Sequence, residues 1–130
     1  MNQHILARIA IYLLSVVMIV FGFYHFLYPR VLLVYVPGYL PGGITWVYIV
    51  GAAFILAAIS FILNKWVKLT GYLLAALLLT FVLTIHLPNY LHAGAADMQR
   101  EAFVSLLKDT ALAAFALHIA GSANKRGIIY

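Results

Sequence analysis

Four apolar stretches, Ile5–Tyr28, Ile44–Leu63, Leu69–Leu87 and Ala102–Gly121, take up most of this chain, and nearly every charged residue lies between them or beside their ends. Each comes close to the ~20 residues that an α-helix needs to cross a ~30 Å hydrocarbon core. Lipid is the solvent such a chain calls for. Composition agrees: 66% of residues are hydrophobic and 8% charged, whereas soluble domains run at about 45–50% apolar and about 25% charged. So few polar side chains could not cover a soluble fold of 130 residues. The expected architecture is all-α, an antiparallel four-helix transmembrane bundle forming a single domain over residues 1–130. The apolar run after Arg8 is too long for a signal peptide and ends in Phe21-Gly22-Phe23-Tyr24-His25-Phe26 rather than at a small-residue cleavage site, so a retained helix is expected.

The formal charge of +5 is best explained by orientation. With four spans, both termini and the middle loop share one side, which holds Arg8, Lys65, Lys68, Lys125 and Arg126. The other side holds Arg30 and Arg100, with Asp97 and Glu101 beside them. The positive-inside rule then puts both termini in the cytoplasm of a bacterial inner (plasma) membrane protein. No motif supports nucleic-acid binding. The absence of cysteine excludes a dithiol relay, cysteine-ligated iron–sulfur clusters and thiolate haem.

The first connection, Pro29 to Gly43, is broken by Pro37 and Pro41 and cannot span, yet it is too apolar for open solvent. It is expected to lie as an interfacial segment between the first and second helices, with Tyr28, Tyr35, Tyr39 and Trp46 at headgroup level. Asn64–Lys68 forms a tight turn, and a polar connection is expected around Asn89–Glu101. Small residues predict the packing faces: Gly51, Ala53, Ala57, Ala58 and Ser60 on the second helix, Ala76, Thr80 and Thr84 on the third, and Asp109, Ala113, Ala116 and Ala120 on the fourth. Such stripes account for a compact bundle and leave a homo-oligomer open.

Five polar side chains stand where lipid should not tolerate them. They are His25 near the outer end of the first helix, His86 and Asn89 at three-residue spacing on the third, and Lys108 and Asp109, six and seven residues into the fourth. An ionisable group there costs about 2.5–3.5 kcal/mol on insertion scales, so it normally faces the bundle interior or water. Pro88, between His86 and Asn89, is expected to kink or end its helix. Lys108 can snorkel outward or reach Glu101 and Ser105. Asp109 is too short to snorkel and needs a cation or donors: Lys108, His25 or His86. The two histidines can equally be packing residues. His118 falls on the opposite face of the fourth helix from Asp109, so no path to the cytoplasm continues from the acid. Two outer and two inner histidines would suit two b-type haems, but His4 falls outside the span and no helix carries a well-buried pair. Zinc lacks any short-range ligand spacing.

Around these residues the chain resembles the DoxX family. Gly22-Phe23-Tyr24-His25-Phe26 followed by Pro29, then Val36-Pro37-Gly38-Tyr39-Leu40-Pro41 and Gly51, is similar to that family's first half. His86-Leu87-Pro88-Asn89 and Leu106-Leu107-Lys108-Asp109-Thr110-Ala111-Leu112-Ala113 are similar to its second. The resemblance implies four transmembrane helices and kinship with a small subunit of thiosulfate:quinone oxidoreductase. A distant animal relative resembles a chaperone for acetylcholine-receptor assembly, so the fold hosts more than electron transfer. Many members carry a glutamate about three residues after the second-helix glycine, then paired glycines; here Phe54 and Ala57-Ala58 stand instead.

Two functions follow as expectations. One is a redox-associated membrane subunit whose outer polar cluster meets a quinone, with His25 or His86 as donors and Lys108 and Asp109 as proton relay. The chain shows no redox centre, so a partner subunit would have to bear one. The other is a non-catalytic accessory protein that docks and helps assemble another membrane protein. Whether the chain is itself an enzyme stays open.

Overall fold

The computed structural model describes residues 3–123, and among these all regular structure is helical. In chain order the elements are α1 (Gln3–Leu27), α2 (Pro29–Leu33), α3 (Ile44–Leu63), α4 (Val67–Phe81), a π-helical turn (Val82–His86), α5 (Leu87–His92) and α6 (Ala96–Gly121). Because α4, the π turn and α5 run on as one rod, four helices are long and apolar enough to cross a membrane: Gln3–Leu27, Ile44–Leu63, Val67–His92 and Ala96–Gly121. Large apolar side chains point outward along their length, including Leu13, Val20, Leu56, Leu73 and Leu83, each at least 58% exposed. A helix apolar on all sides, with most of that surface outside the protein core, is suited to lipid rather than water. Lys125 and Arg126, which weigh in the orientation argument, lie outside the described residues.

Two boundaries differ from the sequence expectation. The third long helix does not end near Leu87, nor does Pro88 break it: the rod continues to His92, and only Ala93–Ala95 separates it from α6. Pro88 has no N–H and its ring crowds the carbonyl four residues back. Here the backbone widens into a π turn just before the proline, with the Leu87 N–H reaching the Val82 carbonyl. The fourth helix starts at Ala96 rather than Ala102. Its first turn carries Asp97, whose negative charge suits the positive end of the helix dipole.

The helices pack as two close pairs around a shared core. α1 and α3 cross at Gly22 and Gly51, where a Cβ added to Gly22 would lie 2.9 Å from the Gly51 carbonyl oxygen. Gly22 meets Ile55 and Gly51, His25 meets Gly51 and Phe54, and Phe26 stacks on Tyr48, so contacts descend α3 as they climb α1. α4 and α6 cross at Gly71, where a Cβ would lie 2.8 Å from the Ala116 carbonyl oxygen and 2.9 Å from the Ala120 Cβ. Met18, Phe54, Phe61, Leu74, Leu78, Ala113, Ala116 and Ile119 belong to one buried cluster joining both pairs. Ser15, fully buried on α1, donates its hydroxyl to the Ile11 carbonyl at 2.8 Å. The α3–α4 turn is tight: Asn64 and Trp66 take left-handed backbone conformations. Ser60 Oγ donates to the Lys65 carbonyl and accepts from Thr70 Oγ1 at 2.7 Å, tying α3 to the first turn of α4.

The predicted small-residue face of the third helix is corrected. Gly71, Leu74, Ala75 and Leu78 are buried, while Ala76, Thr80 and Thr84 are exposed. Thr80 and Thr84 bond the carbonyls of Ala76 and Thr80 in their own helix. A hydroxyl satisfied in this way can face outward without a partner helix.

In the first connection, α2 opens on Pro29, a residue suited to the start of a helix because its missing N–H has no partner there in any case. Gly42 (φ 96°) and Gly43 (φ 44°) then turn the chain into α3, a conformation that costs glycine little. The Trp46 indole N–H donates to the Pro41 carbonyl at 2.6 Å, closing this turn.

Candidate functional site

Of the five polar candidates, two come together. His86 Nε2 lies 2.9 Å from Asp109 Oδ2, and because a carboxylate can only accept, the ring nitrogen donates. The side chains are 15% and 20% exposed. This is the one His–carboxylate or Lys/Arg–carboxylate pair among the described residues that bridges two spans. Asp109 falls near the middle of the 26-residue α6, about 20 Å from either end given the rise of an α-helix. It is therefore deeper in its helix than seven residues, because α6 begins earlier than expected.

The other three stand apart. His25 Nδ1 donates to the Phe21 carbonyl at 2.6 Å, and its ring meets the edge of Phe54 at 5.3 Å between centroids. That bond leaves Nε2 of the neutral ring as an acceptor. Phe54 also contacts Phe21 and Phe81. Where the family resemblance would place a glutamate, an almost buried apolar ring therefore sits against His25. Asn89 is exposed and its side chain makes no hydrogen bond among the described residues, although its three-residue spacing from His86 would set the two on one side of a regular helix. Lys108 is exposed too, and among the described residues it pairs with neither Asp109 nor Glu101. His4, His92 and His118 are exposed. No group of three or more metal-type ligands comes together among the described residues.

The π turn delivers His86. An α-helix closes i→i−4 bonds, whereas a π turn closes i→i−5, so residues beyond it are swung roughly a quarter turn from their α positions. Sequence periodicity has no signal for that swing beyond Pro88 itself. A shallow apolar cleft of about 180 Å³ between α3 and α4 is lined by Ala53, Leu56, Ala57, Thr70, Leu73, Leu74 and Leu77 and includes none of the five candidates.

Sequence reasoning placed Tyr35 at the membrane interface but missed its partner. The Tyr35 hydroxyl donates to Glu101 Oε1 at 3.2 Å, clasping the first connection to the opening turns of α6. Burial, then the neighbouring Glu101 carboxylate, pushes the Tyr35 phenol above its ordinary value of 10.0. A raised pKa means the folded state holds the proton more tightly. Any stability the clasp contributes is intact below pH 10 and is lost as pH rises through the raised value. Glu101→Gln is expected to move Tyr35 titration back toward 10.0. The check is phenolate formation in wild type and Glu101→Gln, each corrected by its Tyr35→Phe counterpart; equal titration in both would refute the assignment.

No curated protein and no solved structure matches the chain. A family described as a domain of unknown function, DUF8561, matches residues 14–120. That match runs from the first helix through the fourth, covering both crossing points and the His86–Asp109 pair. The chain belongs to the DUF8561 family.

Proposed function

We propose that this protein is a four-helix integral membrane protein, folded as an antiparallel bundle with both termini cytoplasmic in a bacterial inner membrane. In this reading it serves as a DoxX-like, redox-associated subunit that meets a quinone at His86 and Asp109. The observation carrying the reading is the 2.9 Å His86–Asp109 contact inside two apolar helices. Intramembrane ionisable groups are expensive and mark proton or ligand sites when they are kept. Quinone reduction takes two electrons and two protons to give the quinol. A histidine–carboxylate couple can hold and pass the protons at the ring oxygens, while the electrons come from a partner subunit bearing a redox centre. The free Nε2 of His25 offers an acceptor for a quinol hydroxyl in the same bundle.

Titration of the purified protein in nanodiscs with a short-tailed ubiquinone, followed by quenching of Trp46 and Trp66, tests this. Saturable binding is expected in wild type. His86→Ala should weaken it about tenfold, the equivalent of one charge-assisted hydrogen bond of ~1.5 kcal/mol. No saturable binding in wild type, or equal binding in both, would remove the quinone reading.

A second reading has one observation in its favour. His25, Asn89 and Lys108 do not join the pair, so the constellation is incomplete for catalysis by this chain alone. A non-catalytic accessory protein that docks another membrane protein fits such a site. Co-purification from native membranes in mild detergent decides it: recovery as a lone species argues against docking.

A further inference from the structure

We infer that Pro88, through the π turn that precedes it, is the positioning residue that aims His86 at Asp109. Three observations carry this. The π turn ends on His86 itself. Pro88 follows two residues later at the start of α5. The ring that emerges from the turn is the one that reaches α6.

The physical link is steric. In an uninterrupted α-helix Pro88 would face the Thr84 carbonyl with no N–H to offer and a ring in its way. The wider turn relieves that clash and swings the following segment by about a quarter turn. Above the turn the buried face of α4 is Leu74, Ala75 and Leu78, with Val82 buried at its start. Below it α5 lies on α6, with Tyr90 against Phe103 at 5.3 Å and the Gln99 amide on the Tyr90 carbonyl. The turn therefore lets one rod present two faces in different phase: an apolar face to the core above, and His86 with α5 to α6 below. Restoring an N–H at residue 88 removes the steric demand for the wide turn.

Because the chain has no cysteine, paired cysteines give a clean readout in the full protein in membranes. His86→Cys/Asp109→Cys is expected to cross-link with a short bis-thiol reagent. A second pair above the turn, Phe54→Cys/Phe81→Cys, whose parent rings lie 6.5 Å apart, reports the rest of the fold. Adding Pro88→Ala or Pro88→Leu should lower the 86–109 yield about tenfold and leave the 54–81 yield unchanged. In the cysteine-free protein, the downfield, exchange-protected His86 ring N–H seen by ¹⁵N-histidine NMR should vanish with either proline variant, as with Asp109→Asn. Retention of the 86–109 cross-link and of that resonance would overturn the inference. Loss of both cross-links would overturn it as well, by assigning Pro88 to the whole fold rather than to the aim of one side chain. The consequence for quinone rests on the function proposed above. Lost cross-linking with unchanged quinone affinity would leave the positioning role standing and sink the quinone reading instead.

Discussion

Asp109→Leu is expected to abolish quinone binding while leaving the protein as stable as wild type or more so. Three magnitudes decide the sign. Burying an acid in the membrane costs about 2.5–3.5 kcal/mol on insertion scales. One hydrogen bond to a charged group returns about 1.5–3 kcal/mol, and partial exposure of both side chains lowers that return. Replacing a buried ionic partner by an apolar side chain of similar size is accordingly neutral or stabilising in many proteins. His86→Ala should behave differently, because it strands the carboxylate without its donor. The thermal midpoint in detergent should therefore order as Asp109→Leu at or above wild type and His86→Ala below it, with quinone binding lost in Asp109→Leu and weakened about tenfold in His86→Ala. An Asp109→Leu protein that binds quinone normally would assign the acid to packing alone.

Gly51→Leu is expected to prevent assembly of the α1–α3 pair. A Cβ at residue 51 would lie 2.7 Å from the His25 Cβ and 3.0 Å from the Gly22 carbonyl oxygen. The latter is backbone, which a rotamer change cannot move. Overpacking typically costs about 1–3 kcal/mol and more where backbone must shift, and two helices would have to separate here. Without a hydrophobic drive between helices in lipid, close backbone approach is much of what holds a pair together. Gly71→Leu should do the same to α4 and α6, since its Cβ would meet the Ala116 carbonyl oxygen. Ala76→Leu, on an exposed position of α4, should have little effect. Size-exclusion profiles in mild detergent separate these outcomes: a monodisperse Gly51→Leu protein would show that the crossing is not needed.

Much of the fold was legible because membrane helices are written in length and apolarity. The four long helices, the break between Leu27 and Ile44 and the tight turn after Leu63 all follow from where apolar runs stop. The errors cluster at Pro88. Proline is correctly read as incompatible with a regular helix, but a π turn was the remedy adopted, so the rod continued to His92 and the polar loop shrank to Ala93–Ala95. The α4 stripe failed for another reason: Ala76, Thr80 and Thr84 share a face at helical spacing, yet their own carbonyls satisfy the threonines and Gly71 offers the closer approach.

At the site, composition alone identified the unusual residues. Asp109, Lys108, His25 and His86 stand out inside apolar runs whatever the topology, and Asp109, with the short side chain of an acid, is the one expected to need a partner close by. Which donor it takes, His86 rather than Lys108 or His25, was decided in three dimensions. Transfer free energy depends on side-chain chemistry and can be summed along a chain, so the medium and the helices could be read directly. The partner of a buried acid depends on the rotational phase of one helix against another, and here a single widened turn reset that phase by an amount that no hydrophobic period records.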